Sequence, residues 1–353
     1  MTVRTRRAYE GRKVLVTGAA GAIGSNLVGG LVSAGAHVTA LDDLSSGLLE
    51  NLPADPSLTF LEGSVLDERM LDRAFAKGPE VVFHLAALFA HQNSVDHPQR
   101  DLRVNGLGTL GILERSCEAG TGRVVFSSSS CVLQPRKDSS GAVPPAGDGL
   151  PPAGNGHGGC PAVPAEGIEP APGADTPYQI TKYLGEQYCR FFHSCHGLST
   201  VRIRIFNSYG PGEPPGLYRN VVPNFFHLAR LGRPLPVLGT GTETRDWTYV
   251  GDVVEGLLSA GFCPAADGQV ICLGTGRETR VVDLARRINA ITGNRAGVSF
   301  RTRRSWDTHE RRVAPTEPAR RLLGHECGTP LEVGLRRTAA WFEQRWGSVR
   351  AEP

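Results

Sequence analysis

Short apolar runs alternate with helix-length segments through the first half of the chain. The runs have the length and the Val- and Leu-rich composition of buried strands, and they occupy residues 14–17, 37–41, 58–61, 81–84 and 124–126. This alternation predicts a parallel sheet that is covered by helices on both faces. Right-handed crossovers place the carboxyl ends of such strands at one edge, where doubly wound folds bind their ligands. We therefore expect an α/β fold with a doubly wound parallel sheet.

A segment rich in Pro, Gly, Ala and Ser interrupts this pattern at about residues 134–175. It has neither a helical nor a strand period, so we interpret it as a long inserted loop and favour a disordered insertion over a functional lid. A helical pattern resumes after Pro177, and short strands, helices and turns follow. We expect one domain at residues 1–206 and a smaller mixed α/β domain mainly at 207–353, with residues 246–273 returning to the first domain.

The composition argues against several classes of protein. Hydrophobic residues make up 40% and charged residues 21% of the chain, which is typical of a globular protein, and the formal net charge of +3 is too small to indicate a nucleic-acid partner. No run approaches the ~20 apolar residues that span a bilayer, and a strand and a glycine loop stand where a signal peptide would lie, so we expect a cytoplasmic protein without a membrane partner. The eight cysteines include no C-x-x-C pair, and we expect neither a metal site nor disulfides.

A glycine-rich loop follows the first predicted strand. Its sequence from Thr17 to Gly24 is TGAAGAIG, and it opens a predicted helix. Such glycines allow backbone N–H groups to approach a pyrophosphate, which the positive end of the helix then stabilises. Asp42 ends the second strand, where its carboxylate can accept hydrogen bonds from both ribose hydroxyls of an adenosine. A 2′-phosphate would meet this carboxylate as a like charge, and no Arg follows it, so NAD is favoured over NADP in a Rossmann-type fold.

A tyrosine and a lysine stand four residues apart on the helix that follows the insertion. The spacing of Tyr178 and Lys182 places the phenol and the ammonium on the same helix face. With a positively charged nicotinamide nearby, a unit charge ~4 Å away at an effective dielectric of ~20 contributes ~4 kcal/mol, or about three pKa units. The phenol could then act as a general base near neutral pH.

Four serines, residues 127–130, follow the fifth predicted strand at the same sheet edge. A hydroxyl at this edge could bridge Tyr178 and a substrate hydroxyl. The spacing alone does not choose among the four serines.

These motifs together resemble the extended short-chain dehydrogenases/reductases, and specifically the nucleotide-sugar epimerase/dehydratase group. The resemblance is carried by the glycine spacing and by three further motifs: DDLSSG at residues 42–47, HLAA at 84–87 and Asn105-Gly106. We interpret Asn105-Gly106 as the start of a helix under the active site. The resemblance spans about residues 13–346 apart from the insertion. Against the Ser-Ser-x-x-Val pattern of the group, Ser129 is the implied catalytic hydroxyl, Tyr178 the base and Lys182 the cofactor anchor. The implied NAD-binding residues are Gly18, Gly21, Ala22, Ile23, Gly24, Asp42, Leu44, Ser46, Gly47, Ser64, Val65, Leu85, Ala86, Ala87, Asn105, Ser127, Tyr178, Lys182 and Phe206. Ser64 stands where many relatives carry Asp.

The resemblance continues into the second half and implies a nucleotide-sugar substrate, UDP- or TDP-linked. Similar segments are RIFNSYGP at residues 204–211, NVVP at 220–223, PVLG at 236–239, RDW at 245–247 and the Arg304-x-x-Asp307 pair. Arginine forks suit diphosphate oxygens. The implied substrate-binding residues are Asn207, Asn220, Val221, Pro236, Val237, Arg245, Arg304 and Asp307. A homodimer is also implied, through the helix of Tyr178 and the helix that follows Asn105.

Members of this group work through a 4-keto sugar, and the residues after the catalytic serine separate their reactions. A 4,6-dehydratase normally carries Asp-Glu there, whereas this chain has Ser130 and Cys131, so dehydration is disfavoured. We expect 4-epimerisation of a UDP-hexose or UDP-hexuronate, with decarboxylation of UDP-glucuronate to a pentose or 4-keto pentose as the alternative. Two other classes remain open: a reductase of non-nucleotide carbonyl compounds, and an NAD-binding regulatory protein on the same fold.

Overall fold

The computed structural model describes residues 3–133, 175–307 and 310–347. The predicted insertion lies outside the described residues except for its last position, Asp175.

Thirteen strands and twelve α-helices are formed by the described residues. The strands are β1 Lys13–Thr17, β2 His37–Asp42, β3 Leu58–Glu62, β4 Val81–His84, β5 Arg123–Ser129, β6 Thr200–Ile205, β7 Ser208–Tyr209, β8 Leu235–Leu238, β9 Thr244–Arg245, β10 Thr248–Tyr249, β11 Val270–Leu273, β12 Thr279–Arg280 and β13 Val298–Arg301. The helices are α1 Val3–Tyr9, α2 Ala22–Ser33, α3 Glu68–Phe75, α4 His91–Asp96, α5 Pro98–Asp101, α6 Gly108–Glu118, α7 Pro177–His196, α8 Val221–Arg230, α9 Val250–Phe262, α10 Val281–Thr292, α11 Glu317–Leu323 and α12 Leu331–Trp346. A π-helical segment, Leu102–Leu107, joins α5 to α6.

The central sheet has seven parallel strands in the order β11-β6-β5-β4-β1-β2-β3. The chain moves outward from β1 to β3, returns to β4 beside β1, and continues outward in the other direction. This reversal between β1 and β4 is the switch point at which doubly wound sheets bind ligands. The predicted fold class is confirmed.

Both faces of the sheet are apolar and covered by helices, as alternation of side chains along β1 requires. Val14 and Val16 pack on one face with residues of α2 and α9, and the intervening Leu15 packs on the other face with residues of α3, α6 and α7. Each cluster of side chains is fully shielded from water near its centre. No helix among residues 3–133, 175–307 and 310–347 is long and apolar enough to cross a membrane.

The second half of the chain builds a smaller unit and then extends the sheet. Helices α8, α10 and α12 pack around β8, which pairs in parallel with β13, and together they bury an aromatic and aliphatic core. Strand β11 adds to the edge of the central sheet by pairing with β6. Helix α9 packs on one face of the same sheet.

Two local features differ from the sequence-based expectations. Strand β5 does not end before the serine run but continues through Ser129, because Ser127 to Ser129 stay in register with residues 203–205 of β6. Asn105 does not begin a helix. It lies inside the π-helical segment, where its side chain reaches back to the backbone of Leu88.

Candidate active site

A cavity of about 450 Å³ opens along the carboxyl ends of β1, β2, β4 and β5 and continues into the smaller unit. Its first half is lined by the glycine loop and the ends of these strands, and its second half by residues that follow β6. Tyr178 and Lys182 lie where the two halves meet. We call these parts the cofactor half and the substrate half.

The glycine loop allows close packing of backbone against backbone. Gly18 has φ +68°, and a Cβ on it would lie 2.6 Å from the backbone nitrogen of Ala86. A Cβ on Gly24 would lie 2.0 Å from the carbonyl oxygen of Gly18. Because only glycine fits at both positions, the start of α2 faces the cavity with bare backbone, which is the arrangement that receives a pyrophosphate.

Asp42 is held in one orientation at the end of β2. One carboxylate oxygen accepts from the N–H of Ala20 at 2.9 Å and the other from the N–H of Leu44 at 2.8 Å. Each oxygen has a second lone pair available for a ligand hydroxyl. Burial raises the pKa of Asp42, and its two backbone hydrogen bonds act in the opposite direction. This carboxylate fits the two hydroxyls of a ribose, so the residues of the cofactor half fit NAD.

A buried polar chain supports the floor of the cofactor half. The hydroxyl of Thr109 donates to the carbonyl of Asn105 at 2.6 Å and so accepts from Nε2 of His84, 3.0 Å away. Nδ1 of His84 is then the acceptor for the hydroxyl of Thr17 at 2.7 Å. Burial, with a smaller contribution from the Lys182 charge, lowers the pKa of His84 to about 3. The imidazole is therefore neutral and serves as a fixed link between β1, β4 and α6.

The alternation of strand β5 separates the serines by role. The hydroxyl of Ser128 donates to Glu186 at 2.6 Å, and Glu186 forms a two-point ion pair with Arg204 at 2.8 and 2.7 Å. Ser128 is thus committed to a buried network behind the sheet edge. Ser129 is one position further along, is partly exposed and lines the cavity near Tyr178, where it acts to lower the pKa of the phenol. The structure places the serine implied by the resemblance beside the tyrosine.

Helix α7 begins at a point that fixes Tyr178. Pro177 occupies its first turn, and the side chain of Gln179 accepts from the backbone N–H of Thr176 at 3.0 Å, as in a capping box. The backbone N–H of Tyr178 donates to the hydroxyl of Ser94 at 3.1 Å. One turn later, Nζ of Lys182 donates to the carbonyl of Ser127 at 2.8 Å.

Burial dominates the acid–base properties of this pair. It raises the pKa of Tyr178 well above 10, nearby Cys131 and Asp101 add to the rise, and the hydrogen bond with Ser129 opposes it. Burial lowers the pKa of Lys182 to about 8. Within the chain itself, the drop in the phenol pKa that was expected from Lys182 is not seen, because loss of solvation has the larger effect.

The substrate half is organised around the buried carboxylate of Asp246. It accepts from the backbone N–H groups of Thr275 at 3.0 Å, Gly276 at 2.9 Å and Ala314 at 3.1 Å. This single side chain therefore ties three distant segments together. Arg245, the preceding residue, lines the cavity.

Two further predicted substrate residues have fixed partners. Asn220 caps α8, and its backbone and side-chain N–H groups donate to Glu213 at 3.0 and 3.1 Å. Arg245 donates to Asp307 at 3.2 Å. The first turn of α8 and an arginine thus face the same cavity, and both suit an anionic group.

Most of the predicted site residues line this cavity. Those that do are Gly18, Gly21, Ala22, Ile23, Gly24, Asp42, Ser46, Ser64, Val65, Leu85, Ala86, Ala87, Ser127, Ser129, Tyr178, Lys182, Asn207, Asn220, Val221, Pro236, Arg245, Arg304 and Asp307. The predicted residues that do not line it are Leu44, Gly47, Asn105, Phe206 and Val237. Phe206 and Val237 are fully buried behind the wall. Alternation along β8 buries Val237 and turns Pro236 and Leu238 to the cavity instead.

Sequence reasoning missed several cavity residues, among them His91, Trp306 and Arg312. The His91 ring lies 5.4 Å from the ring of Tyr178 and stacks on Trp306 at 5.2 Å. Arg312 lines the substrate half. His91 and Arg312 belong to no local motif, and Trp306 occupies a variable position of the Arg304-x-x-Asp307 segment, so no sequence pattern pointed to them.

Comparison with known proteins agrees with this geometry. Residues 14–269 match the NAD dependent epimerase/dehydratase family. This chain belongs to that family. A UDP-glucose 4-epimerase of Mycolicibacterium smegmatis is 34% identical over 94% of this chain and 99% of its own length.

Solved structures of similar proteins extend the comparison with the epimerase/dehydratase family. An epimerase of Methanothermobacter thermautotrophicus is 44% identical, with a TM-score of 0.88 over 97% of this chain and 95% of its own. A UDP-glucose 4-epimerase of Thermotoga maritima, solved with UDP-glucose, is 33% identical, with a TM-score of 0.80 over 94% of this chain and 99% of its own. Decarboxylases of UDP-linked uronic acids also occur among the relatives, at 27–29% identity.

Proposed function

We propose that this chain is an NAD-dependent 4-epimerase of a UDP-linked hexose or hexuronate. The observation that carries the proposal is the meeting of Ser129, Tyr178 and Lys182 at the junction of a glycine-lined cofactor half and an arginine-bearing substrate half. A regulatory protein would not need a tyrosine, a serine and a lysine fixed at that junction. Membership of the epimerase/dehydratase family supports an enzyme, and supports NAD as its cofactor.

The chain's own part in the reaction is to move one proton at the sugar hydroxyl. NAD, when bound, supplies the hydride acceptor and donor, and its positive nicotinamide favours the ionised phenol. Tyr178 removes the proton of the 4-hydroxyl as the 4-keto sugar forms, and returns it when the alcohol forms again. Ser129 hydrogen-bonds to the same oxygen and keeps it beside Tyr178. Lys182, anchored on the Ser127 carbonyl, places a positive charge beside the phenol.

The residues that follow Ser129 favour epimerisation over elimination. Ser130 and Cys131 are both buried, and burial raises the pKa of the Cys131 thiol, so this thiol stays neutral and is a poor acid–base group near pH 7. Dehydration and the decarboxylation known from relatives both need a further proton donor near this point. Epimerisation needs only Tyr178, Ser129 and space for the keto sugar to turn over.

The substrate half has separate places for the two ends of a nucleotide sugar. We assign the diphosphate to the first turn of α8 with Arg245 and Arg304, which line the same wall. Pro236 and Leu238 of β8 form an apolar ledge for the base. The sugar then extends toward Tyr178.

Incubating the purified protein with a panel of UDP- and TDP-sugars, followed by mass spectrometry and NMR of the products, tests this function. We expect 4-epimers without change of mass. Release of labelled carbon dioxide from UDP-glucuronate faster than any epimer forms would replace the epimerase by a decarboxylase. Reduction of a simple carbonyl compound without any reaction of nucleotide sugars would replace both.

We also infer that the chain forms a homodimer through α7 and the Leu102–Leu107 segment. Leu102, Leu107, Ile180 and Phe191 expose about half of their side chains on these two neighbouring elements. Two such helical elements from each of two copies would form a four-helix contact about a two-fold axis, which would cover these apolar groups. Light scattering should give twice the monomer mass, and Ile180→Asp should shift the protein toward monomer. A wild-type protein that stays monomeric at micromolar concentration contradicts the inference.

A further inference from the structure

Arg312 is placed in the cavity wall by its backbone. Its carbonyl accepts from the N–H of Asp246 at 3.0 Å, and two residues later the N–H of Ala314 donates to the Asp246 carboxylate. Ala314 packs in one cluster with Cys131 and Tyr178. This strand-like segment therefore runs directly behind the catalytic end of the cavity, and Arg312 lines the cavity there.

Two neighbouring arginines, Arg245 and Arg303, are already engaged by carboxylates. Arg245 pairs with Asp307 at 3.2 Å, and Arg303 lies 3.6 Å from Glu243 and 4.0 Å from Asp307. Arg304 is exposed and lies over the ring of Trp306. Arg245 and Arg304 lie on the cavity wall to which we assign the diphosphate.

The Arg312 guanidinium is not engaged in this way. Among the residues that the structure describes, its side chain forms no hydrogen bond and no ion pair within 4 Å. Burial lowers the pKa of Arg312 and the charge of Arg245 lowers it further, while the carboxylates of Asp307 and Asp175 act in the opposite direction. A partly buried cation without a bonded partner is costly, so the site is more stable when an anion reaches it.

The position of Arg312 indicates which part of the substrate carries the anion that it binds. Ala314, two residues after Arg312, packs with Cys131, and the backbone N–H of Cys131 donates to the hydroxyl of Ser129 at 3.2 Å. The segment of Arg312 therefore packs against the turn that follows the serine that would hold the sugar, and both Arg312 and Ser129 line the cavity. The part of a nucleotide sugar that lies at this end is the sugar ring, not the diphosphate.

We propose that Arg312 binds a carboxylate carried by the sugar, so that the chain prefers UDP-hexuronates to neutral UDP-hexoses. This specificity rests on the proposed function, because it assumes that the sugar occupies the catalytic end of the cavity. The planar guanidinium can bind both carboxylate oxygens at once, which a neutral 6-hydroxymethyl group cannot match.

The same contact favours retention of the carboxylate. A guanidinium stabilises the localised negative charge of the bound uronate, and this charge leaves the carboxylate as carbon dioxide departs. The interaction is thus stronger in the ground state than in a decarboxylating transition state, and it slows that loss. Together with the neutral Cys131 thiol, Arg312 points to a 4-epimerase of uronates.

The test compares substrate preference before and after replacement of Arg312. For the wild type we expect a higher kcat/KM with UDP-glucuronate than with UDP-glucose. Arg312→Gln should lower the ratio of these two kcat/KM values by at least about 30-fold, the effect of truncating one partner of a buried charge pair. Arg312→Lys should restore part of the ratio, since it keeps the charge but not the fork.

Calorimetry with Tyr178→Phe as background gives a second measurement that does not depend on turnover. Arg312→Gln should weaken binding of UDP-glucuronate while UDP alone binds as before. Arg304→Gln is the matched control, and it should weaken UDP, UDP-glucose and UDP-glucuronate in parallel. Equal weakening of all three by Arg312→Gln, or no weakening, overturns the proposal.

Failure of the specificity and failure of the function are distinguishable. If the wild type converts UDP-glucose to its 4-epimer and Arg312→Gln leaves the ratio unchanged, the function stands and the role of Arg312 is wrong. If neither sugar is epimerised but the calorimetric preference for the uronate is present and disappears in Arg312→Gln, the role of Arg312 stands and the function is wrong.

Discussion

The two halves of the cavity are built by different means. The cofactor half consists largely of backbone: Gly18 and Gly24 leave no room for a side chain, and Asp42 is fixed by the amides of Leu44 in its own turn and of Ala20 in the glycine loop. The substrate half consists largely of side chains from segments far apart in the chain, which Asp246 ties together. A backbone site is specified by a short local motif, whereas a side-chain site depends on how remote segments pack.

The largest effect is expected where the two halves meet. Tyr178→Phe keeps the packing of the ring but cannot accept the proton of the sugar hydroxyl, so kcat should fall about 10³-fold. Calorimetric affinities for NAD and for UDP should stay close to those of the wild type. Substantial remaining turnover would show that another group moves the proton.

A change in the glycine loop should damage the cofactor half alone. Gly18→Ala combines a positive φ with a Cβ that meets the backbone of Ala86, and the two should together cost about 2–4 kcal/mol in the free energy of unfolding. NAD binding should weaken while UDP binding persists. Urea unfolding and calorimetry provide the measurements.

Gly29→Ala in α2 is the matched control for this substitution. Nothing lies within 4 Å of its added Cβ. It should raise the free energy of unfolding by about 0.5–1 kcal/mol, as expected for Gly→Ala inside a helix. If both variants behaved alike, the tight approach of the loop to β4 would not matter for binding.

Two neighbouring serines separate an effect on catalysis from an effect on stability. Ser129→Ala should lower kcat by about 10²-fold with little loss of stability. Ser128→Ala removes the 2.6 Å hydrogen bond to buried Glu186 and should cost about 1.5–3 kcal/mol of stability while the purified enzyme stays active. The reverse result, with Ser128 the more important for kcat, would mean that β5 presents the other face to the substrate.

The smallest effect concerns pH and the floor of the cofactor half. His84 has a folded pKa of about 3, below its unfolded value near 6.5, so the unfolded chain binds a proton that the folded chain does not. Stability should therefore fall as pH drops below 6.5, by about 2 kcal/mol from this group between pH 7 and 5. His84→Gln should remove that part of the slope in urea unfolding. An unchanged slope would show that folding does not shift the pKa of His84.

Local patterns in the sequence predicted most of the cofactor half. The apolar alternation predicted the strands from β1 to β5 to within a few residues, and the spacing of the TGAAGAIG loop and Asp42 was enough to indicate NAD. The resemblance singled out Ser129, Tyr178 and Lys182, and the structure brings these three together at one cavity. Each of these signals lies within a few residues of its neighbours or repeats with the period of one element.

Tertiary structure alone decided the rest, because its determinants are distant in the sequence. Ser128 and Ser129 look alike in the chain, and only pairing of β5 with β6 turns one toward Glu186 and the other toward Tyr178. Arg312 belongs to no motif, and only the hydrogen bonds of Asp246 bring its segment behind the catalytic end. A sequence specifies local conformation through residue type and spacing, but which side chains share a cavity depends on contacts that form only when the whole chain packs.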